Sequence, residues 1–147
     1  MRAVVQRVRD SSVKADGEMV AEIGPGVAIL LGVAVGDTAA EAERLAGKIA
    51  RLRIFENEDG RFDHSLLDVA GEALVVSQFT LIADSRRQKG TRPDFSQAAR
   101  PEVAERFYER FCTALRELGV PVQTGVFGAR MEVTIVNDGP VTIILEV

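Results

Sequence analysis

The nine residues Val27-Ala28-Ile29-Leu30-Leu31-Gly32-Val33-Ala34-Val35 constrain this chain more than any other segment. A strand points successive side chains to opposite faces, so a run without a polar residue needs cover on both faces. The run is far short of the ~20 apolar residues that cross a bilayer, and no other stretch comes nearer. It reads as the central strand of a sheet with a layer packed on it. A chain of 147 residues buries roughly 70% of its unfolded surface, enough for one such core. We therefore expect a single domain over residues 1–147.

The flanking segments supply the rest. Residues 2–9 alternate as a strand, with Ala3, Val5 and Arg7 on one face and Val4 and Val8 on the other. Residues 18–23 form another strand, joined to the central one through Gly24-Pro25-Gly26. Thr38 and Glu41 make a capping box, and Ala42, Leu45, Ile49 and Leu52 follow at helical spacing, which predicts a helix over 38–53. Asp59-Gly60 is a turn, residues 61–71 read as irregular, and Leu74 to Ile82 as a strand. Pro101 opens a second helix that Gly119 ends, with Val103, Phe107, Phe111, Leu115 and Leu118 as its buried stripe. Strands follow at 121–126, 131–136 and 141–147. The fold class is α+β, a strand-rich sheet with two covering helices.

Several function classes drop out. Cys112 is the only cysteine, so no internal disulfide forms, and the opening MRAVVQRVRD lacks the apolar core of a signal peptide. A reducing, cytoplasmic setting is expected. Eighteen Lys and Arg against 22 Asp and Glu leave a net charge of −4, unlike a protein that coats nucleic acid. A nucleic-acid contact must be local, and Arg86, Arg87, Lys89 and Arg92 form the one basic cluster. His64 is the only histidine and lies in a polar stretch without a nucleophile signature. Asn57-Glu58-Asp59-Gly60 lacks the acidic terminus of a calcium loop, and Gly47-Lys48-Ile49 lacks the rest of a phosphate-binding loop.

Two constellations remain. In Ser77-Gln78-Phe79-Thr80-Leu81 an amide and a hydroxyl interrupt a buried apolar run, and strand period sets Gln78 and Thr80 on one face with Ile82. Buried polar groups need partners, so these two either bond neighbouring backbone or face a substrate. Asn137-Asp138-Gly139-Pro140-Val141-Thr142 separates two alternating segments, and Asp-Gly there signals a hairpin. Pro140 is unusual because it removes a donor where the second strand begins.

Together these pieces resemble the D-aminoacyl-tRNA deacylases almost end to end. Met1 to Val8 is similar to the family's opening strand, and Ser77 to Leu81 to its SQxTL-type signature. Lys89-Gly90-Thr91-Arg92-Pro93-Asp94-Phe95 resembles its basic loop. Thr124 to Met131, with Phe127 inside it, is similar to its TGxFGAxM segment, and Asn137 to Thr142 to its NxGPxT motif. The resemblance implies a closed, barrel-like, mostly antiparallel sheet with helices outside, assembled as a homodimer with active sites at the subunit interface. It implies hydrolysis of the ester between a D-amino acid and tRNA, without metal or cofactor. It further implies a cis Gly139-Pro140 peptide that reaches into the other subunit's pocket, held in place by Arg7. Ser77, Gln78, Phe79 and Thr80 would then be catalytic. Arg7, Phe127, Met131, Asn137, Gly139, Pro140 and Thr142 would bind substrate, and Arg86, Arg87, Lys89 and Arg92 the tRNA.

An activated ester needs an oxyanion site and a positioned water. Backbone N–H groups of Gln78, Phe79 and Thr80 are candidates for the first. Thr80 is either a water-orienting hydroxyl or a nucleophile, and the absence of an evident base favours the former.

Overall fold

A computed structural model describes residues 1–147. Six strands form one mixed sheet: β1 (Arg2–Ala15), β2 (Glu18–Ile23), β3 (Gly26–Gly32), β6 (Glu72–Ser77), β7 (Val122–Thr124) and β8 (Met131–Glu146). Their order is β2-β1-β3-β6-β7, with β8 also paired to β1. Pairings of β1 with β2, β3 and β8 are antiparallel, while β3–β6 and β6–β7 are parallel. The barrel is nearly closed rather than closed. Its ends β2 and β7 approach each other, but β7 pairs only with β6.

The apolar run takes the expected central place, with β3 hydrogen-bonded on both sides and almost wholly buried, but the strand ends at Gly32 and Val33 to Val35 lie beyond it. Helices α1 (Ala39–Ala50) and α2 (Pro101–Glu117) cover one face of the sheet. There Ala3, Val5, Ile29, Leu31 and Val75 pack with Leu45, Ile49, Phe111 and Leu115. On the other face Val8, Val13, Ala21, Ile23, Ala28, Leu74 and Val76 pack among themselves as the sheet curls. Thr38 caps α1 in a complete capping box with Glu41, which holds the Glu41 carboxyl below its ordinary pKa. The α1 helix stops at Ala50, so Leu52 lies past its end. The buried stripe of α2 keeps the expected Phe111 and Leu115 but is centred one position on in its first half, where Ala104, Tyr108 and Cys112 are buried while Val103 and Phe107 are half-buried. The small Ala104 and Cys112 allow close approach to the sheet, and the Tyr108 hydroxyl donates to the Val75 carbonyl at 2.8 Å.

Three further expectations are corrected. First, residues 61–71 are not all irregular: β4 (Arg53–Glu56) and β5 (Phe62–Ser65) make a separate two-stranded hairpin. Second, the strand from Leu74 does not reach Ile82. It ends at Ser77, and Phe79–Ile82 forms a short 3-10 helix, so Gln78 and Thr80 do not share a strand face with Ile82. The ladder stops because β3 ends at Gly32, after the Gln78 N–H has donated to the Leu31 carbonyl at 2.8 Å. Third, Asn137 to Thr142 is not a hairpin. The two alternating segments are halves of one strand, because β1 is long enough to pair with both. Between Val8↔Asn137 and Gln6↔Thr142, five steps on β8 oppose two on β1, so three extra residues bulge out.

Candidate active site

The chain leaves the sheet at Ser77, and this departure builds the site. Beyond the last ladder bond the 3-10 turn exposes Phe79 and Thr80. The Gln78 side-chain amide donates to the Thr80 hydroxyl, an interaction with side chain and not with neighbouring backbone. Thr80 Oγ1 thus receives one hydrogen bond and keeps its own proton for donation. No imidazole or carboxylate bonds to it. His64 is on β5, in the other sheet. The Gln78 N–H is already spent on Leu31, which removes it from the candidate oxyanion donors. Phe79 and Thr80 stand at the open N-terminus of the turn, where N–H groups have no acceptor within the helix.

Beside this turn lies a cleft of about 650 Å³ lined chiefly by apolar residues, Phe79, Phe95, Phe127 and Met131 among them, with Ser77 and Gln78 as polar members of the lining. Phe79 remains 55% exposed and meets the edge of Phe95 with ring centroids 5.1 Å apart. Phe127 stands 5.8 Å from the Tyr108 ring, so one wall of the cleft rests on the buried face of α2. Arg86, Arg87, Lys89 and Arg92 are all exposed on the loop that follows the 3-10 turn. Arg87 lies 3.4 Å from the Asp84 carboxylate, an exposed pair. No three His, Cys, Asp or Glu side chains gather closely enough to hold a metal ion.

The second motif lies elsewhere on the same chain. Arg7 pairs with Val27, and Ala3 with Leu31 beside Ser77. The bulge therefore sits four residues along the sheet from the 3-10 turn, ~13 Å at strand rise, and β8 is separated from β6 by β1 and β3. Gly139 and Pro140 are exposed, their peptide is cis, and Gly139 has φ +127°. A Cβ at Gly139 would stand 2.9 Å from Val141 Cγ2 and 3.2 Å from Arg7 Nη2. Asn137 and Thr142 brace the base of the bulge. The Asn137 amide oxygen accepts from the Val141 N–H at 3.2 Å, and its NH2 donates to the Thr142 hydroxyl at 3.1 Å. Gln6 donates to the same hydroxyl. Arg7 is buried, and its Nε donates to the Asp138 carbonyl at 3.1 Å.

The whole chain aligns with known proteins. The family model described as D-Tyr-tRNA(Tyr) deacylase matches residues 4–146. The chain belongs to that family. It is a D-aminoacyl-tRNA deacylase, an enzyme of the hydrolase class. A protein named D-aminoacyl-tRNA deacylase from Roseiflexus castenholzii is 60% identical over 99% of this chain and 92% of its own. One of the same name from Carboxydothermus hydrogenoformans is 53% identical over the full length of both. A solved structure described as c-Myc DNA Unwinding Element Binding Protein superposes with a TM-score of 0.93 at 47% identity, covering 100% of this chain and 99% of that one. A probable eukaryotic D-amino acid tRNA deacylase, 20% identical with a TM-score of 0.82 over 99% and 98% of the two chains, shares the fold.

Some residues near the deacylase's cleft lie outside the sequence motifs. Arg100, Pro101 and Ala104 line it from the start of α2, and only the helix-opening Pro101 stood out in the sequence. Glu56 and Phe62 come near Arg7 from the β4–β5 hairpin. Their signal was an aromatic in a polar stretch, Phe62 beside Asp63.

Proposed function

We propose that this chain, as a single-domain cytoplasmic homodimer, hydrolyses the ester joining a D-amino acid to the 3′-terminal adenosine of tRNA, using neither metal nor cofactor. The observation that carries the reading is the Gln78–Thr80 hydrogen bond with no base in contact, Gln78 lining the cleft and Thr80 standing exposed two residues on. Thr80 acts as a water-orienting hydroxyl. The water oxygen adds to the ester carbonyl carbon, and the developing oxyanion takes hydrogen bonds from the Phe79 and Thr80 N–H groups. The proton the water loses passes to the neighbouring ribose hydroxyl as that hydroxyl gives its own proton to the departing ribose oxygen, and collapse of the tetrahedral intermediate breaks the ester bond. Free D-amino acid and tRNA are released.

Handedness is read by exclusion. The Gly139–Pro140 segment of one subunit enters its partner's cleft, where its carbonyls hold the substrate α-amino group and leave no room for an L side chain. This accounts for two site motifs that a single chain holds apart. Arg7 holds the segment, Asn137 and Thr142 keep its shape, and Phe127 and Met131 wall the cleft. Arg86, Arg87, Lys89 and Arg92 take tRNA phosphates. Such a site has nothing with which to refuse glycine, so glycyl-tRNA is hydrolysed at a rate comparable to D-alanyl-tRNA while L-alanyl-tRNA survives. Single-turnover deacylation of the three esters tests this, and glycyl-tRNA as durable as the L-alanyl ester overturns exclusion.

Deacylation of matched D- and L-tyrosyl-tRNA by the pure protein tests the main reading. Equal rates, or none, overturn it. The exposed basic loop favours one other reading, a nucleic-acid-binding module without catalysis. Tight tRNA binding with no hydrolysis, unchanged in Thr80→Ala, would select it. Equal turnover of simple D-aminoacyl esters and tRNA-linked ones would instead identify a general ester hydrolase on this scaffold.

A further inference from the structure

Arg7 joins two parts of the molecule that no ladder connects. Its backbone belongs to β1, and its Nε reaches the Asp138 carbonyl at 3.1 Å and lies 3.6 Å from the Asp138 carboxylate. The other end of the guanidinium is held by the β4–β5 hairpin. Nη1 donates to the Ile54 carbonyl at 2.8 Å, and Nη2 lies 3.4 Å from the Glu56 carboxylate. Its Cζ lies over the Phe62 ring, 5.9 Å from the centroid. The same Nη2 atom stands 3.2 Å from where a Cβ on Gly139 would be, so it packs against the glycine itself. A planar guanidinium bonded at both ends and set over an aromatic ring has its orientation fixed by those partners.

The hairpin is built to hold still. Asn57 Oδ1 accepts from the Asp59 and Arg61 N–H groups and closes its turn. Arg53 and Asp63 pair across its strands, and Asn57 adds a bond to Asp63. Those bonds hold the Asp63 carboxyl below its ordinary pKa. Core packing does not account for its two side chains at Arg7: Phe62 is 52% exposed, and Glu56 is exposed as well.

We propose that Glu56 and Phe62 are positioning residues for the Gly139–Pro140 segment, acting through Arg7, and that the β4–β5 hairpin thereby sets how strictly the enzyme refuses L-substrates. The inference rests on the reading that this segment excludes the L side chain. Close-packed exclusion is sensitive to small displacements, and the guanidinium is the only group bridging hairpin and bulge among the side-chain bonds at either one.

The test measures kcat/KM for D- and L-tyrosyl-tRNA in Glu56→Gln, Phe62→Leu, Phe62→Trp and Gly139→Ala. Glu56→Gln and Phe62→Leu each lower the D/L ratio ~3- to 10-fold, with thermal unfolding midpoints close to the parent's. Phe62→Trp, which keeps a π face for the cation, restores the ratio that Phe62→Leu loses. A merely structural role would move the midpoint and leave the ratio alone. If Gly139→Ala loses discrimination while the hairpin variants keep the parental ratio, the positioning role is overturned and exclusion by the segment stands. If Gly139→Ala keeps the parental ratio, exclusion itself falls, and the positioning role with it.

Discussion

Thr80 and Gly139 illustrate two ways in which a single residue can matter. Thr80 contributes a hydroxyl, held by the Gln78 amide. Removing it in Thr80→Ala leaves pocket shape intact, so turnover falls about 10²-fold while the preference for the D-substrate persists. Gly139 contributes an absence. At φ +127° an L side chain is strained, and the added Cβ meets Val141 and Arg7, so Gly139→Ala disturbs the D/L ratio itself. Steady-state kinetics on both esters separates the two, and full activity in Thr80→Ala would remove its role. Both residues stand out in the sequence because a polar pair interrupts an apolar run and a proline follows Asp-Gly, but the roles proposed for them come from the family resemblance and not from those patterns. The loss of the Gln78 N–H to Leu31 was not legible, since it depends on where a neighbouring strand ends. Cys112 makes a contrasting case. Burial raises its thiol pKa to about 11 against Arg116, which lowers it. The folded thiol therefore stays protonated where an unfolded one ionises, and its contribution to stability is full below about pH 8.5 and lost as pH rises toward 11. At pH 8 alkylation of Cys112 should track unfolding, and rapid labelling of the native protein would contradict its burial.

Among the elements, those defined by local signals agree with their sequence: the capping box starts α1, Pro101 starts α2, and the apolar run supplies β3 as far as Gly32. Elements defined by distant partners do not. Asn137 to Thr142 carries a hairpin signature, yet β1 continues to Ala15 and pairs both flanking segments, so the same residues form a bulge. The β4–β5 hairpin was missed because its strands are four residues each and alternate weakly. The basic loop is the element whose function depends least on such partners. Its four cations are exposed, and only Arg87 has a nearby carboxylate. Neutralising Arg86, Arg87 and Lys89 together to glutamine should raise KM for the tRNA substrate about tenfold at low salt, with kcat little changed. Added salt should shrink the difference, because the parent's phosphate contacts are screened while the variant has fewer to lose. A loss independent of salt would point instead to a disturbed loop fold.

At the scale of the whole molecule, the barrel holds its two site motifs on different strands and at different levels. The Gln78–Thr80 turn is beyond the end of β6, and the Gly139 bulge is level with Val27 on the far side of β1. The cleft beside the turn has no lining residue from the bulge, so the two roles proposed for these motifs fall at separate places on one chain. The proposed two-fold dimer would unite them by letting each bulge serve its partner's cleft. This arrangement makes a prediction that no single-chain site can imitate. Thr80→Ala and Gly139→Ala homodimers each carry two defective sites. In a hybrid of the two, one site combines both defects, while the other combines the intact Thr80 of one subunit with the intact Gly139 of its partner. Unfolding and refolding a 1:1 mixture gives hybrids as half the dimers, and one good site in each restores about a quarter of the parental sites. The recovered activity should be fully discriminating, because the intact site has parental geometry. Activity no higher than the mean of the two variants, with mixed dimers demonstrated by mass spectrometry, would show that each chain completes its own site.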